Sequence, residues 1–200
     1  MSGRWRGTVN RWRRALARRL QFRMLFGECS QGRWLPHTRI SPSSCIEHED
    51  RLVLGDHVYI GPFNLLEASG GITIGEGVQI TSHVVIVTHS SHRALRLMGR
   101  DYVAWPADAG PRPGWIAAPV SIGAYSFIGP QVLIEAGTRL GRGSVVRAGS
   151  QVRGEFPDFA VLEGRPARIV GDTRQGDEAL LARHPAARAA YEVWAGPRDG

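Results

Sequence analysis

The chain has 200 residues, of which 42% are hydrophobic and 22% charged, and a formal net charge of +7. This suits one well-cored, soluble domain and excludes a membrane span, since no apolar run approaches ~18 residues. The two cysteines, Cys29 and Cys45, fit no disulfide framework or metal-ligand spacing. We therefore expect a reducing compartment and a cytoplasmic location.

The positive charge is concentrated in residues 1–27. This arm holds eight arginines and no acidic residue, whereas the other 173 residues carry 17 basic and 18 acidic groups. Spacings of three and four predict one apolar face of a helix, formed by Trp5, Val9, Trp12, Leu16 and Leu20. A basic amphipathic helix with tryptophans is typical of a segment on an anionic membrane surface. Two other interpretations of the arm stay open, a helix that packs on the rest of the protein and an organelle transit peptide. The near-neutral charge of the other residues argues against binding of nucleic acid.

A six-residue period follows. Twelve aliphatic residues share one slot of it: Leu54, Ile60, Leu66, Ile74, Ile80, Ile86, Ile122, Ile128, Ile134, Leu140, Val146 and Val152. Glycine comes next at six of the twelve, which we attribute to corners that need a positive φ. Neither helical spacing nor strict alternation describes this pattern. The pattern fits three short strands and three corners in every 18 residues. It therefore predicts a coil of stacked parallel strands.

The repeat stops between Ser91 and Pro119. The segment "HRALRLMGRDYVAWPADAGPRPGWIAAPV" contains four prolines, three glycines and three aromatic residues. A long irregular insertion in a compact repeat is usually functional or disordered, and the aromatic residues argue against disorder. We therefore predict an extruded, functional loop over residues 92–119.

The hexads "IGEGVQ", "ITSHVV", "IGAYSF", "IGPQVL" and "LGRGSV" resemble the hexapeptide-repeat acyltransferases over about residues 38–170. Around the insertion, "VTHSSH", "RALRLMG" and "APVSIG" are similar to galactoside and maltose O-acetyltransferases and to polysaccharide O-acetyltransferases. The resemblance implies an all-β fold, a left-handed parallel β-helix with an extruded loop. It also implies a homotrimer that uses acetyl-CoA as co-substrate.

The resemblance places the catalytic base at His89, directly after the threonine of "VTHSSH". Transfer to a hydroxyl requires a base that takes the hydroxyl proton as the oxygen attacks the thioester, and imidazole suits this at neutral pH. We expect His83 on the surface and His92 either on the surface or in contact with the substrate or the loop. A zinc site is the rival interpretation, but His57, His83 and His89 do not have the spacing of the related carbonic anhydrases, so we expect no metal.

The closing stretch "GSVVRAGSQVRGEFPDFAVLEGRPARIVG" resembles the family's coenzyme A signature. It implies contacts with the coenzyme from Phe127, Ala148, Gly149, Arg153, Arg165 and Arg168, although Gly149 as a plain corner and Arg153 as a solvated side chain stay open. Pro130 departs from the family pattern because it has no N–H with which to stabilise an oxyanion. On the acceptor side we name Asn64, Glu67, Ser69 and His92. Glu67 could also orient the ring of His89.

We therefore predict three parts: the arm over residues 1–27, the acyltransferase β-helix over 38–170, and a short C-terminal helix over 176–194. Pro185 is expected to interrupt that helix, which we predict to cap the stack. The predicted activity is acetyl transfer to a sugar hydroxyl of a surface polysaccharide or lipopolysaccharide precursor. The enzyme would be cytoplasmic, with the arm on the inner face of the membrane. N-acetylation of an amino sugar nucleotide and an inactive scaffold remain alternatives.

Overall fold

The computed structural model describes residues 3–21, 23–106 and 108–196, so Met1, Ser2 and Phe22 of the predicted arm lie outside the described residues. Helix α1 spans Gly3–Gln21. Its apolar face stays open to solvent, with Trp5, Trp12, Leu16 and Leu20 all more than half exposed. None of the described helices combines the length and the apolar character that crossing a membrane requires.

An antiparallel hairpin follows the helix, formed by β1 (Leu25–Ser30) and β2 (Arg33–Ile40). Gln31 and Gly32 join the two strands with positive φ angles of 50° and 75°, as a two-residue hairpin turn requires. The predicted boundaries at residues 27 and 38 were therefore wrong. Leu25 and Phe26 pair with Ile40 and Arg39, so the start of β1 belongs to the edge of the sheet and not to the arm.

Five coils follow the hairpin turn. Coil 1 contains β2, β3 (Cys45–Glu47) and β4 (Leu52–Leu54); coil 2 contains β5 (Tyr59–Ile60), β6 (Leu65–Glu67) and β7 (Ile72–Ile74). Coil 3 contains β8 (Gln79–Ile80) and β9 (Val85–Val87), then an insertion with β10 (His89–Ser90), α2 (His92–Met98) and β11 (Ile116–Ala117), and finally β12 (Val120–Ile122). Coil 4 contains β13 (Phe127–Ile128), β14 (Leu133–Ile134) and β15 (Arg139–Leu140); coil 5 contains β16 (Val145–Val146), β17 (Gln151–Val152) and β18 (Glu155–Phe156).

The chain ends with the hairpin β19 (Ala160–Gly164) and β20 (Ala167–Asp172), followed by α3 (Thr173–Arg183) and α4 (Arg188–Ala195). A 3₁₀ turn over Pro185–Ala187 separates the two helices, because proline cannot continue a helix from within. Trp194 of α4 stacks on Tyr125 with ring centroids 4.7 Å apart and lies 5.9 Å from the ring of Phe159. This helix therefore packs along one corner of the coils.

Over the described residues the coils stack into three sheets, which are parallel except where β1 and β20 pair antiparallel at the two edges of sheet A. Sheet A has the order β1-β2-β5-β8-β13-β16-β19-β20, sheet B the order β3-β6-β9-β14-β17, and sheet C the order β4-β7-β12-β15-β18. The aliphatic slot is in register from coil to coil, so that Ile60, Ile80, Ile128, Val146 and Leu162 form one ladder in sheet A. All five are fully buried. Each such side chain contributes roughly 1.5–3 kcal/mol, and the stack thus builds the core that no single coil could close.

The glycines that follow the aliphatic slot are required for a reason other than the predicted one. None of the six has a positive φ. A Cβ on Gly55 would lie 2.5 Å from the backbone nitrogen of Glu76, and a Cβ on Gly75 would lie 2.5 Å from that of Ala124, one coil further on. The stacking distance between coils therefore excludes a side chain there. Positive φ angles occur instead two residues later, at His57, Gly77 and Tyr125.

Candidate active site

The insertion leaves coil 3 at the corner where sheet B turns into sheet C, here called the BC corner (residues 68–71, 88–119 and 135–138). After β10 the insertion forms α2, because the stretch "HRALRLM" contains good helix formers, and Ala94 of this helix is fully buried. The insertion returns as β11, which pairs antiparallel with β10 and aligns His89 with Ala117. The chain therefore leaves and re-enters the coil at one point, and His89 lies at that point.

His89 is held by a buried carboxylate from the coil below. Its Nδ1 lies 2.7 Å from Oε2 of Glu67 and 3.1 Å from the hydroxyl of Ser69. The Glu67 side chain is 7% exposed and that of His89 is 32% exposed. Because Nδ1 faces the carboxylate, the opposite ring nitrogen, Nε2, remains for chemistry. Glu67 and Ser69 thus both contact Nδ1 of His89.

Glu67 is fixed in its ionised form. Its Oε1 accepts the backbone N–H of Ser69 at 2.8 Å, and its Oε2 accepts the N–H of Thr88 at 3.0 Å and the Thr88 hydroxyl at 2.9 Å. Burial by itself raises the pKa of Glu67, but these hydrogen bonds outweigh it and lower the pKa to about 2. A negative charge is therefore present beside the imidazole throughout the neutral range.

An aromatic ring from the insertion covers one face of His89. The indole of Trp115 stacks on the imidazole, with centroids 4.8 Å apart and planes 8° from parallel. The Arg112 guanidinium lies 5.7 Å from the Trp115 ring and 4.7 Å from that of Tyr102, and its Nε donates to the Tyr102 carbonyl at 3.1 Å. The sequence pattern identified these aromatic residues as part of a functional loop but did not place Trp115 on the histidine.

A cleft of about 340 Å³ lies beside His89. It is lined by Val87, His89, Ser90, His92, Ile116, Leu133, Glu135, Ala136, Gln151 and Arg153. His92 opens α2 and is bonded through Nδ1 to the Ser90 hydroxyl at 2.6 Å. Two predicted residues, His92 and Arg153, are therefore next to the candidate base. Glu135 was missed, because it occupies an ordinary corner position in the repeat.

The other predicted coenzyme residues lie elsewhere. Phe127 is exposed on sheet A, and Ala148 and Gly149 form the corner between sheets A and B at coil 5. Arg165 donates to the Gly149 carbonyl from the β19–β20 hairpin, which also carries Arg168. None of these residues lines the cleft beside His89, and sheet B runs between their corner and the BC corner that carries His89.

Asn64 was wrongly predicted to contact the substrate. It is 3% exposed and lies at the corner between sheets A and B. Its Nδ2 donates to the carbonyls of Gly61 and Thr81, and its Oδ1 accepts the N–H of Val84. Its polar atoms are thus occupied in joining neighbouring coils, and its role is structural.

The contacts of His83 and Pro130 show how each of these predicted positions is placed. His83 is exposed and packs on Phe63, with ring centroids 5.2 Å apart. At Pro130, which lacks an N–H, the carbonyl accepts the N–H of Gly149, and the N–H of the next residue, Gln131, donates to Ser82. The amide of Gln131 is therefore not available in place of the missing one.

Comparison with known proteins identifies relatives over most of the chain. A probable acetyltransferase of Mycobacterium tuberculosis is 32% identical over 80% of this chain, which spans only 49% of that protein's length. Galactoside O-acetyltransferase of Escherichia coli is 26% identical over 77% of this chain and 68% of its own length. A putative lipopolysaccharide biosynthesis O-acetyltransferase of the same organism is 29% identical over 60% of this chain and 59% of its own length. No family model matches the sequence.

The fold has solved counterparts. A hexapeptide-repeat acetyltransferase of Vibrio cholerae, solved in complex with acetyl coenzyme A, superposes with a TM-score of 0.56 at 28% identity. The match covers 82% of this chain and 77% of that structure. The repeat in the sequence, the three parallel sheets and these relatives all agree. In its repeat and its fold the chain is therefore similar to the hexapeptide-repeat acetyltransferases.

Proposed function

We propose that this protein is an acetyl-CoA-dependent O-acetyltransferase that modifies a sugar hydroxyl, with His89 as the general base. The observation that carries the proposal is the 2.7 Å contact between Nδ1 of His89 and the buried, ionised Glu67. It fixes the ring so that Nε2 accepts a proton, and it stabilises the imidazolium that results. The acetyltransferase relatives support the reaction class.

The proposed reaction is a direct transfer. The acceptor oxygen attacks the thioester carbonyl while Nε2 of His89 takes the hydroxyl proton. The tetrahedral intermediate collapses by breaking the C–S bond, and the proton on Nε2 passes to the departing thiolate. The products are an acetyl ester and free coenzyme A. Glu67 stays ionised throughout and holds Nδ1–H, while Trp115 restricts rotation of the ring.

We also propose a left-handed coil and a homotrimer, as the family resemblance implies. The predicted coenzyme residues at the corner between sheets A and B and the proposed base at the BC corner would be two half-sites, and a neighbouring subunit would supply one of them to complete a site. Coenzyme A would then lie in the groove between the β-helices of two subunits, with Ala148 and Gly149 beside its pantetheine. Arg165 and Arg168 suit its phosphates, since a guanidinium forms paired hydrogen bonds with phosphate oxygens.

A surface polysaccharide or lipopolysaccharide precursor is the proposed acceptor. The galactoside and lipopolysaccharide O-acetyltransferases among the relatives support this class. The loop also presents Trp105, Arg112 and Trp115 around a cleft of about 390 Å³, and flat aromatic rings suit the apolar faces of sugar rings. His92 would contact the acceptor at the edge of the neighbouring His89 cleft.

The arm is proposed to hold the enzyme on an anionic membrane surface on the cytoplasmic side. The exposed tryptophans and leucines of α1 lie among arginines. Each basic residue near such a surface contributes about 1 kcal/mol. A trimer would carry three arms, and linked weak contacts reinforce one another.

The proposed function is tested by incubating the full-length protein with acetyl-CoA and a panel of sugars and following products by mass spectrometry. The expected product gains one acetyl group as an alkali-labile ester and appears together with free coenzyme A. Transfer only to amino sugars, giving alkali-stable amides, would favour N-acetylation. The absence of any acetylated product and of coenzyme A release would contradict the proposal.

A further inference from the structure

A second cluster of titratable side chains lies far from His89 along the chain, at the corner between sheets C and A in the first two coils. Nδ1 of His37 lies 3.0 Å from Oδ2 of Asp56, and Nε2 of His57 lies 4.0 Å from the same oxygen. One ligand atom from each residue lies within 4.8 Å of the other two. The proposed acetyl transfer uses none of these three residues.

The carboxylate of this cluster is held in place. Oδ1 of Asp56 accepts the N–H of His37 at 3.0 Å and the N–H of His57 at 2.8 Å, while the Thr38 hydroxyl donates to it at 3.3 Å. These bonds leave Oδ2 as a pre-oriented carboxylate oxygen that faces both imidazoles.

The coil also brings the imidazole rings of the two histidines together. Their rings stack with centroids 4.3 Å apart and planes 5° from parallel, and the backbone of His57 has a φ of 60°. Their side chains are 61% and 55% exposed, so the rings can rotate. Both rings border a cleft of about 530 Å³, which leaves room for a bound ion and water.

We propose that His37, Asp56 and His57 form a binding site for a zinc ion. Two imidazole nitrogens and one carboxylate oxygen are ligands that zinc accepts, with a fourth position left for water. Zinc bonds of about 2.0–2.2 Å place tetrahedral ligands roughly 3.3 Å apart. The ligand atoms of the three residues now lie up to 4.8 Å apart. Rotation of the two stacked rings, so that their nitrogen atoms point at the ion, brings these atoms to the required separation. The site is separate from acetyl transfer and does not depend on the proposed function.

The test is calorimetric titration of zinc chloride into full-length, tag-free, metal-stripped protein at pH 7.5. The expected result is one zinc ion per chain with micromolar affinity. His37→Ala and His57→Asn should each weaken binding at least tenfold. The matched control is His83→Asn, because His83 has nearly the same backbone φ of 58° and also contacts an aromatic ring. Asparagine tolerates this φ.

Circular dichroism spectra that match wild type would show that the variants fold. Unchanged affinity and stoichiometry in both site variants would overturn the proposal, as would the absence of binding below 1 mM, on the order of the weak end of protein–ligand affinity. Equal weakening by His83→Asn would also overturn it, since binding would then reflect exposed histidines in general. Acetyl transfer is measured separately and should be the same with and without zinc.

Discussion

Replacing Glu67 by glutamine removes the negative charge beside His89 with little change in shape. An amide has only one acceptor oxygen, so it must turn its NH₂ group towards the N–H of Ser69 or towards the N–H of Thr88 and Nδ1 of His89. In the glutamine variant, the transition state of the proposed reaction loses one hydrogen bond to the Glu67 carboxylate. A hydrogen bond to a charged group is worth about 1.5–3 kcal/mol. At 1.36 kcal/mol for each factor of ten, kcat should fall by about 10- to 150-fold. KM for acetyl-CoA should change little, because Glu67 is assigned no contact with the coenzyme.

The same substitution should also change how the free energy of unfolding depends on pH. A pKa lowered from 4.5 to about 2 corresponds to on the order of 3 kcal/mol of stability. Because the folded-state pKa is depressed, this contribution is complete above pH ~4.5 and is lost as the pH falls towards 2. In urea denaturation at pH 7, the free energy of unfolding of wild type should therefore exceed that of Glu67→Gln. At pH 3 this difference should be smaller by about 2 kcal/mol.

The matched control is Glu47→Gln. Glu47 pairs with Glu67 in the register of sheet B, one coil below, and is exposed. Its substitution should leave kcat and the free energy of unfolding near wild type. A Glu67→Gln enzyme within twofold of wild-type kcat would refute the positioning role. A stability difference that did not vary between pH 7 and pH 3 would refute the assignment of an ionised, hydrogen-bonded carboxylate.

Three further predictions concern other parts of the molecule. Arg168→Ala should raise KM for acetyl-CoA more than it lowers kcat, because phosphate contacts bind ground and transition states alike; an unchanged KM in initial-rate assays would remove Arg168 from the coenzyme site. Trp115→Ala should lower kcat by up to about tenfold and Trp115→Phe should restore most of it, since a stacked pair is worth ~0.5–1.5 kcal/mol; equal rates for both variants and wild type would refute the stacking role. Deleting residues 1–21 should leave an active trimer that no longer co-sediments with anionic vesicles in low salt, where charge attraction is least screened; equal co-sedimentation of both forms would refute the membrane role.

The repeat was predictable because stacking imposes the same environment on every coil. The six-residue period from Leu54 to Val152 identified residues that the structure buries in three parallel sheets. The reason for the glycines was not predictable from one coil, because the backbone that excludes a Cβ at Gly55 comes from Glu76, in the next coil. The boundary at residue 27 was missed because the β1–β2 hairpin lies outside the repeat.

The candidate site was only partly predictable. The motif "VTHSSH" indicated His89, and an acidic residue in a slot where glycine is common indicated Glu67. The contact of Trp115 with His89 depends on how an irregular insertion folds back, which spacing does not encode. Asn64 is the converse case, a residue that was predicted to be in the site and is not. A polar residue that is close to the site in sequence can face the coil interior, where its side chain bonds only to backbone groups.

The measurement that tests the account most directly is the kinetic comparison of His89→Ala with wild type, using acetyl-CoA and the acceptor identified by mass spectrometry. The account predicts that His89→Ala loses at least ~10²-fold in kcat, the contribution expected of a general base, while coenzyme A affinity and oligomeric state are retained. The control variant His83→Asn should keep wild-type kcat. A His89→Ala enzyme within a few fold of wild type, with acetyl transfer intact, would contradict the assignment of His89 as the base.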